Sequence, residues 1–122
     1  MSVLINYRNT PCERKTAEIP DSPEQIGRDE DILDIMAEVS SNESDSMIIH
    51  SKNLTPDFFD LKTGIAGEIL QKFSNYRMRL AIVGDFSKVK SKSLKDFIRE
   101  SNCRGTICFV KSVDDALQRF DN

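Results

Sequence analysis

A chain of 122 residues can bury roughly two-thirds of its unfolded surface in one domain without disulfide or metal staples. Its 17 basic and 20 acidic residues, a formal charge of -3 and a pI near 5.2, supply no overall attraction for nucleic acid or an anionic membrane. No apolar run has bilayer length, MSVLINYRNT lacks the regions of a secretory leader, and Cys12, Cys103 and Cys108 show no CxxC spacing, so the expectation is a cytosolic protein without disulfide framework or zinc knuckle.

Residues 2–8, SVLINYR, mix β-branched and aromatic residues with polar ones and suit a half-buried strand. Asn9, Thr10 and Pro11 form a turn. CERKTAEI is polar enough to predict an exposed edge strand pairing back on the first, ended by Pro20. After the connection DSPEQIG, Ile32, Leu33, Ile35, Met36 and Val39 repeat at helical spacing between about 28 and 41, with Asp29, Glu30 and Asp31 at the positive end of the helix dipole. SSNESDS is a loop, and SMIIH, 46–50, has the length of a central strand.

The stretch 54–86 organises the rest of the chain. Thr55 is the expected helix N-cap, Pro56 fits the first helical position, and Asp57 and Asp60 favour the positive helix start. Leu61, Ile65, Ile69, Leu70 and Phe73 then share one face until Ser74 and Asn75 stop the run, and MRLAIVG follows as a buried strand. Further on, Ser91 or Ser93 caps a helix near 92–102 that turns Leu94, Phe97 and Ile98 inward, and Gly105 opens the strand TICFV. Ser112 with Asp115 three residues on starts a last helix burying Val113, Ala116, Leu117 and Phe120. The order predicts a single α/β domain: a β-hairpin, then βα units with right-handed crossovers, in a five-stranded mixed sheet with four helices.

In such sheets ligands and partners meet the carboxyl ends of the parallel strands, near helix amino-termini. That places residues 50–60, 85–92 and Lys111 with Ser112 on one rim, and His50, Asp57, Phe58, Phe59, Asp60, Thr63, Asp85, Phe86, Ser87 and Lys88 are the binding candidates. His50 is the only histidine, which excludes sites needing two imidazoles; a satisfied strand-end histidine is favoured over a pH-sensitive or catalytic one. Asp57, Asp60 and Asp85 have the chemistry to hold a hard cation or run acid and base steps, yet no second motif supplies a nucleophile or substrate clamp, so no metal or cofactor is expected. Lys88, Lys90 and Lys92 suit a phosphate or an acidic partner, although both GxGxxG and GxxxxGK[ST] are absent. Phe58, Phe59 and Phe86 would anchor a partner if exposed. Adjacent phenylalanines on a short helix cannot both enter one core pocket.

The run NLTPDFFDLKTGIAGEILQKFSNYRMRLAIVGDFS, with SKSLKDFIRESN behind it, resembles a bacterial family described as domain of unknown function 4180, over about Ile32 to Phe120. That resemblance implies no activity. More distantly, the element order resembles STAS domains, the fold of anti-sigma factor antagonists and of the cytoplasmic tails of sulfate transporters. It implies a non-catalytic regulatory module with a protein partner. STAS domains carry a D-S-S-G-like signature whose serine a partner kinase phosphorylates. Here Asp60-Leu61-Lys62-Thr63-Gly64 stands in its place, with one extra residue and no paired serines, and Thr63 is the nearest counterpart of the phosphoacceptor. Two further expectations stand beside that one: a small phosphorylated-ligand or nucleotide binding domain using helix amino-termini and Lys88, Lys90 or Lys92, and a metal-assisted hydrolase on Asp57, Asp60 and Asp85. The plainest alternative makes Thr63 an ordinary helix residue, with Gly64 and Gly67 allowing close helix packing.

Overall fold

The structure, a computed structural model, describes residues 5–20, 29–54 and 56–121, with the backbone alone at 29–31 and 57. Five strands, β1 (Asn6–Asn9), β2 (Lys15–Glu18), β3 (Ser46–His50), β4 (Arg79–Val83) and β5 (Ile107–Val110), lie side by side in the order of the chain. β1 and β2 form the antiparallel hairpin, and β2 to β5 run parallel. Four helices of two turns or more, α1 (Asp29–Ser41), α3 (Ile65–Asn75), α4 (Lys92–Arg104) and α5 (Val113–Phe120), accompany the single turn α2 (Pro56–Phe59).

Consecutive parallel strands joined by crossovers of one hand stack their helices on one face. Accordingly α1, α3 and α4 pack on Ala17, Met47, Ile49, Leu80, Ile82, Ile107 and Phe109. α5 follows the last strand and folds back over the other face, where Ala116 and Phe120 meet Ile48, Ala81, Cys108 and Val110. Because residues one apart on a strand point to opposite faces, β3, β4 and β5 must be apolar throughout, which is why SMIIH, RLAIV and ICFV read as continuous runs. Ser91 Oγ accepts the Leu94 N–H at 3.2 Å and Ser112 Oγ accepts the Asp115 N–H at 3.1 Å, so both sequence caps form.

The open edge of β5 is capped at Phe109 by a side chain. Thr106 and Val110 turn their carbonyls to β4, which leaves Phe109 facing outward. There Asn102 Oδ1 accepts the Phe109 N–H at 2.7 Å and Asn102 Nδ2 donates to its carbonyl at 3.4 Å.

Three expectations need correction. β2 is not an edge: it pairs with β1 on one side and β3 on the other, Thr16, Ala17 and Glu18 are buried, and β1 is the edge. Its polar groups are tolerated inside because they are bonded, Thr16 Oγ1 to Ser46 Oγ at 2.8 Å and Glu18 to Arg8 and His50. The helix expected from 55 to 75 is broken into α2, a 3₁₀ turn at Leu61–Thr63 and α3. Asp60 accepts the Lys62 N–H at 3.1 Å and Gly64 adopts φ +78°, so local side-chain bonds and a left-handed residue end the first turn before α3 begins. Gly64 and Gly67 do not serve close packing, since a Cβ on either would meet nothing within 4 Å. Thr55, the expected cap, and the start of the first strand at 2–4 lie outside the described residues, as does the connection 21–27.

Candidate functional site

The rim is built from the segments that leave the ends of β3 and β4. Gly84 departs from β4 so close to the turn after β3 that a Cβ there would sit 2.6 Å from Ser51 Oγ. This approach brings the 51–63 segment beside the 84–88 turn. Phe59 and Phe86 meet with ring centroids 6.3 Å apart, and Phe86 stands edge-on to Phe109 at 5.2 Å. Phe58 packs T-shaped on Phe59 at 5.1 Å, and Phe97 on Phe109 at 6.1 Å. The aromatic chain therefore runs from the core to the surface. Phe58 belongs to the core, 1% exposed, and does not present itself to a partner. Phe59 and Phe86 are half-buried and reach the surface, because neighbours on a helical turn point about 100° apart.

Polar turns flank these rings. Exposed Thr63 donates its hydroxyl to the Asp60 carbonyl at 2.8 Å and accepts the Ile65 N–H at 3.3 Å, just before α3. Asp85 accepts from the Ser87 hydroxyl at 2.6 Å and from the Ser87 N–H at 3.0 Å. Those two bonds hold its carboxyl below the usual carboxylate range, against a small opposing effect of burial and with help from the Lys111 charge. Ser87 and Lys88 are exposed beside it. The side chain of Asp57 is outside the description. Asp60 and Asp85 are each bonded into their own turn, and among the described residues no group of three or more His, Cys, Asp or Glu side chains is placed to hold a metal ion.

His50 is not an open rim residue. Its Nε2 bonds Glu18 Oε2 at 2.9 Å, and Glu18 Oε1 takes the Arg8 Nε–H. Asn53, fully buried, accepts the His50 N–H at 3.0 Å and donates to the Pro20 carbonyl at 3.1 Å, while the His50 ring accepts the Asn53 N–H in return. Both ring nitrogens are thus engaged. Burial pushes the Glu18 carboxyl up, but the bonds from His50 and Arg8 outweigh it and leave it below its ordinary range. This cluster orders the ends of β2 and β3. Sequence reasoning missed Glu18, Arg8 and Asn53; the usable signal was an acid closing an otherwise buried KTAE run in a chain with a single imidazole to meet it.

Of the cysteines, Cys12 and Cys103 are exposed and Cys108 is buried, where burial raises its thiol above the ordinary range and keeps it unreactive. None of the described helices is long and apolar enough to cross a membrane.

No curated protein and no solved structure matches this chain. The family model described as a domain of unknown function, DUF4180, covers residues 12–120, beginning well before the block that carries the resemblance in the sequence, and the chain belongs to that family.

Proposed function

We propose that the protein is a regulatory, protein-binding module of STAS type, acting in the bacterial cytosol without catalysis of its own. Its partner docks on Phe59, Asp60, Thr63, Asp85, Phe86, Ser87 and Lys88. The observation that carries this reading is the contact of two half-buried phenylalanine rings, Phe59 and Phe86, framed by exposed polar turns. Aromatic anchors ringed by polar groups are the usual core of a binding surface. The order of elements, hairpin then three helix–strand units and a closing helix, supports the reading that the STAS resemblance implies.

Thr63 gives this surface a switch. Its hydroxyl holds the Asp60 carbonyl, so phosphorylation removes that donor and sets about -1.5 to -2 charges beside Asp60. Repulsion there opens the 3₁₀ turn and releases the partner. The test is photo-crosslinking in cells with a benzophenone amino acid at position 59 and, as control, at the exposed Tyr76. The expected result is one protein adduct from position 59, absent from position 76 and lost with Thr63→Glu. Equal adducts at both positions, or an adduct indifferent to Thr63→Glu and Phe86→Ala, would overturn the proposal.

A further inference from the structure

At the opposite end of the sheet, where the parallel strands begin, α4 and α5 finish side by side. Arg79, the first residue of β4, donates from Nε to the Gly105 carbonyl at 3.2 Å, from Nη1 to the Phe120 carbonyl at 3.2 Å and from Nη2 to the Arg119 carbonyl at 2.9 Å. Its guanidinium lies 5.3 Å from the Phe120 ring centre. Arg119 in turn donates to the Asn102 carbonyl. Two guanidiniums are therefore fixed in place by neutral carbonyls rather than by carboxylates. Exposed Arg104 at the end of α4 adds a third.

These arginines line one open cavity of about 440 Å³, completed by Asn102, Cys103, Gly105 and Thr106, with no carboxylate among the described residues of its wall. Asp121, just past α5, turns away to the Thr10 hydroxyl at 2.6 Å and the Cys12 N–H at 2.9 Å. The two helix ends offset the cations by only about half a charge each, which leaves about +2 on the cavity. Helix capping alone accounts for Arg79 and Arg119. It does not account for a surplus of that size converging on a concavity.

We propose that this cavity binds a small phosphate-bearing metabolite. Guanidinium forks match phosphate oxygens in pairs, a phosphomonoester dianion matches the surplus charge, and the volume lies in the range of small-molecule sites. A nucleic-acid polyanion is disfavoured by the net charge of -3 on the whole chain. Asn102, Cys103 and Arg119 also line a neighbouring groove with Phe86 of the rim, whereas Arg79 and Arg104 belong to the arginine cavity alone, and the assignment does not rest on the function proposed at the rim.

Isothermal titration of the full chain with pyrophosphate, and with inorganic phosphate, tests it. Saturable one-to-one binding is expected, weakened about tenfold or more by Arg104→Ala and abolished by Arg104→Glu. Arg104 makes none of the helix-end bonds described above, so these variants keep the fold, which a thermal melt verifies. Lys90→Ala is expected to leave binding unchanged. No saturable heat from the folded wild type, equal affinity in Arg104→Glu, or loss in Lys90→Ala would each overturn the assignment. Because Arg104→Glu leaves the rim untouched, crosslinking at position 59 reports separately on the proposed function.

Discussion

The two ends of the parallel sheet arrive at different surfaces. At the carboxyl rim, Asp60 stands where the 3₁₀ turn starts and Asp85 opens the 84–88 turn; at the amino pole, arginines stand where α4 and α5 finish and complement the helix dipole. Asp60 and Asp85 are consumed by N–H groups of their own turns, so what the rim offers outward is aromatic. Arg79 uses one hydrogen from each of its three nitrogens, and a guanidinium has five, so what the pole offers outward is charge.

The sharpest way to break this contrast is to remove one anchor at each end. Arg79→Met deletes three helix-end hydrogen bonds worth ~1 kcal/mol each, so urea denaturation is expected to show a loss of about 3 kcal/mol. Asp85→Asn keeps an oxygen acceptor for Ser87 and is expected to cost far less. Comparable losses from the two would mean that the rim turn is as structural as the pole. The close approach that assembles the rim is probed next. Gly84→Ala forces a Cβ to 2.6 Å from Ser51 Oγ and 2.8 Å from Ser51 Cβ, an overpacking expected to cost about 1–3 kcal/mol. Ser51→Gly in the same chain should restore most of it, read as recovery of Tm.

A smaller, pH-dependent effect concerns Glu18. Glu18→Gln is expected to cost about 1–2 kcal/mol at neutral pH, because the Arg8 side of the cluster reaches solvent and is screened. Its folded pKa lies below the unfolded value, so its contribution is complete above about pH 4.3 and disappears as the pH falls through the lower folded value. Tm measured against pH should therefore fall less steeply in that window for Glu18→Gln. Asp85 and Asp121, also held below their ordinary range, keep part of the acid sensitivity in the variant.

What the sequence made legible was whatever rests on apolar repetition. SMIIH, RLAIV and ICFV announce buried strands, and Ser91 and Ser112 announce helix starts, because each depends on neighbours within a few residues. The position of β2 was not legible, since Glu18 is made acceptable inside by Arg8 and His50, partners that only the folded sheet supplies. The break at 60–64 was hidden for another reason. Leu61 still packs against the core from the 3₁₀ turn, so the apolar rhythm continues across a backbone that has stopped being helical. Of the rim, the meeting of the 54–63 stretch with the 84–88 turn was readable from topology, but the sorting of Phe58 inward and Phe59 outward was not. The arginine cavity left no pattern at all, its cations coming from the ends of three separate elements.

Asn102 carries a consequence for behaviour at high concentration. By offering Phe109 both an acceptor and a donor, its carboxamide counterfeits the backbone of a sixth strand. Another molecule arriving at that border finds the Phe109 amide already occupied, so strand addition there must first displace the Asn102 carboxamide.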